Sequence, residues 1–167
     1  MNLPGLYFTR LWLCIPVLYL AGCSWFGGDS NNKDSQPALA GIIKLTVRGA
    51  DYLNPDTYGR PCPVVLRLYE LPDCSVFGQY RFLDLYNQAD HFLGAQLLYT
   101  RELAPLHPGQ TLTLDIPLVK GAGCIAALAG YSQYREGSPS ATLPIMQSAN
   151  VQLTVEGLRV VLTEGYR

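Results

Sequence analysis

Apolar and polar residues alternate in several short stretches of this chain. In residues 42–48 every second position is aliphatic and the positions between them are polar, which predicts a half-buried strand. The same period of two recurs over 111–118. It recurs again in a C-terminal hairpin, where strands at 151–155 and 158–162 flank a turn at Glu156-Gly157. Strands that are apolar on one face need a second layer to cover that face.

Other stretches are apolar at most positions, which predicts strands buried on both faces. Residues 64–71 and 124–134 have this character, and 97–103 is a further strand. Between them the period changes: from Ser75, a candidate N-cap, apolar residues recur every three or four positions up to Gly94. This pattern predicts one helix or two short ones. About seven strands and one helical insertion indicate a mainly β fold, a two-sheet antiparallel β-sandwich.

Two segments are predicted to be loops. The first is 137–144. Ala50–Pro63 contains three prolines and Gly59, which restrict the backbone and remove amide donors, so it is predicted to be a stiff loop. One interpretation is a structural connection between the sheets. The other is a recognition loop, since rigid scaffolds often carry their binding residues on such loops.

The N-terminus has the pattern of an export signal. Arg10 is the only charged residue before an apolar run that ends in Leu20-Ala21-Gly22, and that run is shorter than the roughly 20 residues of a spanning helix. Cys23 follows directly, and Leu-Ala-Gly-Cys resembles the bacterial lipobox, in which the thiol receives lipid. The sequence therefore predicts a lipoprotein signal peptide at 1–22 and lipidation of Cys23. The alternative is an ordinary signal peptide followed by a chance cysteine.

The remaining chain divides into a tether and one domain. Residues 23–40 are rich in Gly, Ser, Asn and Asp and are predicted to be a flexible tether, while 41–167 is predicted to be the β-sandwich domain. Removal of 1–22 takes away one of 12 basic residues and none of the 13 acidic residues, so the mature net charge is 11 − 13 = −2. Without a basic stripe, no nucleic-acid partner is expected. Membrane association is expected to come from the lipid.

Three of the five cysteines fall in the predicted domain. Cys62 and Cys74 flank the strand at 64–71, which alone spans about 25 Å, far more than the roughly 7 Å that a disulfide allows between Cα atoms. The better candidate for a disulfide is Cys74 with Cys124, as an exported compartment permits. Three unpaired thiols are the alternative.

No catalytic set is visible in the sequence. His91 and His107 lie at no metal-ligand spacing, and no nucleophile elbow, His-Glu-x-x-His pair or phosphate loop is present. We therefore predict that the protein is not an enzyme, holds no metal or cofactor, and has no small-molecule substrate.

A block around the stiff loop resembles one known family. Leu53-Asn54-Pro55-Asp56, Gly59-Arg60-Pro61 and Pro63–Leu71 resemble the TssJ family, also called SciN or VasD, the outer-membrane lipoproteins of type VI secretion systems. The lipobox, Asp84-Leu85-Tyr86, Pro108-Gly109 and the small-residue strand that leads to Tyr131 and Arg135 agree in order.

The resemblance implies a transthyretin-like sandwich with an added helical segment, tethered to the inner leaflet of the outer membrane with its domain in the periplasm. It implies binding to the periplasmic C-terminal region of TssM, which with TssL forms an envelope-spanning complex. It places TssM contact on the loop after the first strand, which corresponds here to Asp51–Pro61. The expected contacting residues are Asn54, Asp56, Tyr58 and Arg60, and the expected loop-shaping residues are Pro55, Gly59 and Pro61.

Two other function classes compete with this one. A generic periplasmic lipoprotein whose sandwich binds a small ligand or glycan would be indifferent to TssM and would have a concave aromatic pocket. An exported enzyme would need a cluster of titratable groups in one cleft.

Overall fold

The computed structural model describes residues 39–145 and 150–165. The signal peptide at 1–22, the lipidation site Cys23 and nearly all of the tether at 23–40 lie outside the described residues and stay predictions. Within the described part, no helix has the length and apolar character needed to cross a bilayer.

The described ranges contain one α-helix and eight strands. In chain order they are β1 (Leu39–Leu53), β2 (Leu66–Leu71), α1 (Phe82–Leu93), β3 (Tyr99–Glu102), β4 (Thr111–Val119), β5 (Cys124–Ala129), β6 (Ser140–Pro144), β7 (Asn150–Gly157) and β8 (Arg159–Glu164).

The strands form two four-stranded sheets, which confirms the predicted mainly β sandwich. The first sheet has the order β4-β1-β7-β8 and the second the order β3-β2-β5-β6. All neighbouring strands are antiparallel except β1 and β7, which are parallel. The aliphatic residues predicted for one face of the first strand, Ile43, Leu45 and Val47, are buried between the sheets.

β1 is longer than the strand predicted at 42–48 because it pairs with β4 on one side and β7 on the other. The predicted loop Ala50–Pro63 is therefore wrong in its first four residues, which belong to β1. Its pairing with β7 shifts register between Gly49 and Leu53. A Cβ at Gly49 would lie 2.6 Å from Leu53 Cδ2 and 2.9 Å from the carbonyl oxygen of His107. Glycine therefore allows the chain to bend there and to continue toward the second sheet.

β5 is buried on both faces, as its small apolar residues predict. One face packs on the first sheet, while the other lies under α1 with Tyr69, Phe77 and Leu85. The strand ends at Ala129, earlier than predicted, because the amide of Tyr131 donates to the carbonyl of Ala129 and turns the chain.

The helical segment consists of two pieces, one of the two predicted alternatives. A 3-10 turn at Cys74–Gln79 begins at Asp73, whose carboxylate accepts the Ser75 amide at 2.6 Å, so the N-cap is Asp73 and not Ser75. The helix α1 follows, is interrupted by non-helical angles at Gln88, and ends at Gly94 with φ of +51°.

The prediction of a loop at 137–144 is wrong in its second half. Ser140–Pro144 forms β6, the edge strand next to β5. Pro139 and Pro144 suggested a loop, but an edge strand tolerates proline because its outer amides have no strand to pair with.

A disulfide and a buried carboxylate join separate parts of the sandwich. Cys74 and Cys124 form a disulfide, with Cα atoms 5.2 Å apart, that fixes the 3-10 turn to β5, while Cys62 has a free thiol. Glu70 is 4% exposed and accepts the amide of Val119, at the end of β4, at 2.8 Å. This bond connects the two sheets. Burial raises the pKa of the Glu70 carboxyl, although the Val119 bond and Arg101 partly oppose the shift.

Candidate functional site

The loop between β1 and β2, residues 54–63, is fixed at its base by bonds to two strands. The amide of Asn54 donates to the carbonyl of Gly157 at 2.7 Å, and the amide of Cys62 donates to the carbonyl of Leu53 at 3.1 Å. The two ends of the loop therefore stand side by side at one end of the sandwich, and only the residues between them can face a partner.

Asn54 does not serve as the contact residue that we expected. It is 6% exposed, and its side-chain amide donates to the carbonyl of Pro63 at 2.8 Å and accepts the amide of Ser132 at 3.3 Å. Its φ of +43° is the left-handed conformation that asparagine tolerates better than most residues. Asn54 is therefore a loop-shaping residue.

Asp56 organises the tip of the loop. One carboxylate oxygen accepts the amides of Tyr58 at 2.8 Å and Arg60 at 2.9 Å, and the other accepts Arg60 Nε at 2.8 Å. The bond from the Arg60 amide, the bond from its guanidinium and the Tyr58 amide all lower the pKa of Asp56. These donors occupy the carboxylate, so Asp56 holds the shape of the loop more than it presents a charge to a partner. This position revises the contact role that we expected for Asp56.

The expected shaping residues act in different ways. Gly59 has φ of +77°, and its amide closes a turn onto the Asp56 carbonyl at 2.9 Å. Pro55 is buried, and its carbonyl accepts the side-chain amide of Gln133 at 2.9 Å, while Pro61 is exposed and leads the chain back to the base.

Two of the four expected contact residues point outward. Tyr58 is 83% exposed and the side chain of Arg60 is 73% exposed. The guanidinium of Arg60 lies over the Tyr58 ring, 5.3 Å from its centroid, so the two side chains form one surface. Tyrosine and arginine are the residue types that most often dominate the binding energy of protein interfaces.

A second segment supports the loop, and sequence reasoning gave it no role in the site. Residues 132–133 follow β5 and bond to Asn54 and Pro55, as described above. The sequence separation is 78 residues for both bonds, so no local pattern could have shown the contact. The only signal was the change at Gly130 from apolar to polar residues.

The described residues show no arrangement suited to metal chemistry. No three His, Cys, Asp or Glu side chains within 39–145 and 150–165 lie close enough to hold an ion. His91 lies in the last turn of α1 with its ring edge-on to Phe92, and His107 lies in the turn before β4.

These features define a β-sandwich module that presents a shaped loop at one end. The family described as "Type VI secretion lipoprotein, VasD, EvfM, TssJ" matches residues 42–158. The match covers well over half of the chain, so this protein belongs to the type VI secretion lipoprotein family, which confirms the resemblance seen in the sequence. This is a family of structural components and not a family of enzymes. Its membership is consistent with a location in the cell envelope.

Solved structures share the fold. The type VI lipoprotein TssJ1 of Pseudomonas aeruginosa is 22% identical, over 78% of this chain and 98% of that chain, with a TM-score of 0.67. Serratia marcescens Lip, a membrane-bound component of the type VI system, is 20% identical, over 78% of this chain and 99% of that one, with a TM-score of 0.66. A chain in the structure described as the TssM C-terminal domain from EAEC is 20% identical, over 73% and 97%, with a TM-score of 0.62. No curated protein matches the sequence.

Proposed function

We propose that this protein is a lipoprotein of the outer membrane that binds the periplasmic C-terminal region of TssM through the loop between β1 and β2, residues 54–63. In this role it anchors, together with TssL, the envelope-spanning complex of a type VI secretion system. The observation that carries the proposal is the loop tip, where Tyr58 and Arg60 stand exposed on a backbone held by Asn54 and Asp56.

The geometry of the loop favours protein binding. A loop already held in one conformation loses little conformational entropy when a partner docks on it. Similar folds in structures described as the TssM C-terminal domain and as a type VI membrane complex support TssM as the partner.

The anchor is proposed from the sequence. Cys23 lies 39 − 23 = 16 residues before the start of β1. A flexible segment of that length reaches roughly 20–24 Å, enough to hold the domain clear of the lipid headgroups. The residue after Cys23 is Ser24 and not an aspartate, which is consistent with sorting to the outer membrane.

Binding is tested by calorimetry between the domain, residues 24–167, and the periplasmic region of the cognate TssM. This piece contains every strand, the helix and both apolar clusters described above. Tyr58→Ser is expected to weaken binding by at least about 30-fold, as for an interface hot spot. Its matched control is Tyr99→Ser, which removes an exposed tyrosine from β3, the edge strand of the second sheet.

The outcomes separate the function from the site. Binding by the wild type that Tyr58→Ser weakens and Tyr99→Ser leaves intact supports both. Binding that neither variant changes keeps TssM as the partner and removes the loop from the interface. Absence of binding by the wild type refutes the proposed function and leaves a β-sandwich that binds a ligand of another class.

The anchor is tested in cells. Labelled palmitate is expected to appear in the wild type and to be absent from Cys23→Ser, which should move from the outer-membrane fraction to the soluble periplasmic fraction. A Cys14→Ser variant is the matched control, because that cysteine lies within the predicted signal peptide. A Cys23→Ser protein that keeps the label and the membrane fraction would contradict lipidation at this residue.

A further inference from the structure

A groove of about 390 Å³ lies between the start of α1 and the segment that follows β5. It is separate from the exposed loop tip. Four of its lining residues come from the beginning of the helix and two from residues 134–135. The lining residues are Arg81, Phe82, Leu83, Asp84, Tyr134 and Arg135.

The floor of the groove is a fixed aromatic stack. The ring of Phe82 stacks on Tyr134 with centroids 4.5 Å apart and on Tyr86 with centroids 5.3 Å apart, both nearly parallel. A guanidinium covers each end of the stack, Arg67 over Tyr86 at 4.6 Å and Arg135 over Tyr134 at 5.6 Å. Such a stack offers an apolar surface that does not have to reorganise when another side chain packs on it.

The rim of the groove is positively charged. The side chain of Arg81 is 92% exposed, and Arg135 is exposed beside the stack. The one carboxylate of the lining, Asp84, is largely covered and faces the Arg81 guanidinium at 3.5 Å. Leu83 adds a large aliphatic side chain that is 43% exposed. The groove thus combines apolar surface with more positive than negative charge.

A second concavity shares two lining residues with the groove. Residues 132–136 line an adjoining concavity of about 370 Å³, which includes Glu136, and Tyr134 and Arg135 belong to both. The same segment holds the loop through Ser132 and Gln133. Residues 132–136 therefore connect the groove with the base of the loop.

We propose that the groove binds an extended segment of the protein partner that carries a large apolar side chain flanked by carboxylates. The apolar side chain would pack on the Phe82–Tyr134 stack, and the carboxylates would pair with Arg81 and Arg135. This inference rests on the proposed function for the identity of the partner, but the chemistry of the groove follows from its own residues.

The first test uses peptides, so that it does not depend on TssM. The ¹⁵N-labelled domain is titrated with the probe Ac-Asp-Glu-Phe-Asp-Glu-NH₂. Amide shifts are expected at 81–84 and 131–136, and they should be absent with Ac-Lys-Lys-Phe-Lys-Lys-NH₂. Shifts spread over the whole surface, no shifts, or equal shifts with both peptides would overturn the proposal.

The second test uses the TssM region with two groove variants. Arg81→Gln combined with Arg135→Gln is expected to weaken binding about five- to tenfold and to reduce its salt dependence, because two charge contacts are lost. Leu83→Ser is expected to weaken it about fivefold through lost apolar contact. The matched charge control is Arg48→Gln combined with Lys120→Gln, two exposed residues of β1 and of the turn after β4.

The two proposals fail in different ways. Wild-type binding to TssM that the groove variants leave unchanged, while thermal melting shows them folded, overturns the groove and keeps the proposed function. Absence of wild-type binding to TssM refutes the proposed function. In that case the peptide titration alone decides the groove, because the probe contains no TssM sequence.

Discussion

Asn54 is the residue whose replacement tests most directly how the loop is held. Its side chain makes two hydrogen bonds, to the Pro63 carbonyl at 2.8 Å and from the Ser132 amide at 3.3 Å, and its backbone is left-handed. Two variants separate these contributions. Asn54→Gly removes both side-chain bonds and accepts the backbone conformation, whereas Asn54→Ala removes the same bonds and also opposes φ of +43°.

The magnitude follows from the exposure of the bonding partners. Pro63 and Ser132 are exposed, so water can replace the lost partner and each bond contributes only about 0.5–1 kcal/mol. Asn54→Gly is therefore expected to lower the free energy of unfolding by about 1.5–2 kcal/mol, including the added freedom of glycine in the unfolded chain. Asn54→Ala loses the same two bonds, about 1–2 kcal/mol, and has no glycine contribution, but it adds about 1–2 kcal/mol of backbone strain, for a total of about 2–4 kcal/mol.

Urea denaturation of residues 24–167 measures both values. With a slope near 1.5 kcal/mol per M, the midpoint is expected to fall by about 1 M for Asn54→Gly and by about 2 M for Asn54→Ala. Asn87→Ala, an exposed position on α1, is the control and should change the midpoint little. Equal midpoints for the glycine and alanine variants would refute the backbone argument. A loss below about 0.5 kcal/mol in both would refute the role of Asn54 in holding the loop.

Three further predictions concern the sandwich and the loop. Burial raises the pKa of Glu70 above its ordinary 4.5. The contribution of Glu70 to stability is therefore fully present below pH 4.5 and is lost as pH rises through the raised value. In denaturation curves, Glu70→Gln should gain stability relative to the wild type as pH rises from acidic to neutral. Reduction of Cys74–Cys124, which spans 50 residues, should lower the free energy of unfolding by up to about 4 kcal/mol on the chain-entropy account. The pKa of Asp56 is lowered, so the loop conformation that its carboxylate holds is fully present above pH 3.8 and is lost as pH falls through the lowered value. The NMR signal of the Arg60 amide, which donates to this carboxylate, should report the loss.

Each of these predictions has a result that would contradict it. A constant stability difference between Glu70→Gln and the wild type across pH would show that the carboxyl titrates alike in the folded and unfolded chain. Equal midpoints with and without reductant would show that the disulfide does not constrain the unfolded chain. An Arg60 amide signal in the wild type that follows the same pH profile as in Asp56→Asn would remove Asp56 from the control of the loop.

Of the strands in the described residues, the sequence predicted all except β6. The alternation in 42–48 and 111–118 identified β1 and β4 because one face of each is buried in the sandwich. β6 is only five residues long, follows Pro139 and ends at Pro144, so its local sequence does not distinguish it from a loop. Its strand character comes from pairing with β5, which a local pattern cannot show.

The stiff loop was readable from the sequence, but the structural role of each of its residues was not. Prolines and a glycine indicated a stiff loop, and the structure shows one. Asn54 and Asp56 are polar, which suggested contact with a partner, yet their side chains bond to Pro63, Ser132 and the loop backbone. Polar residues serve loops in both ways, and only the three-dimensional position of their partners decides between them.

The loop separates the residues that hold its shape from the residues that face outward. Asn54 bonds to the sandwich, and Asp56 fixes the backbone of the tip, whereas Tyr58 contacts mainly the neighbouring Arg60. Because an exposed side chain with few contacts contributes little to folding, Tyr58→Ser should change affinity with little change in stability. Asn54→Gly should lower stability. It should lower affinity only to the extent that the loop loses its preset conformation. A loop built in this way can therefore change its partner by replacing its tip while the fold that supports it stays the same.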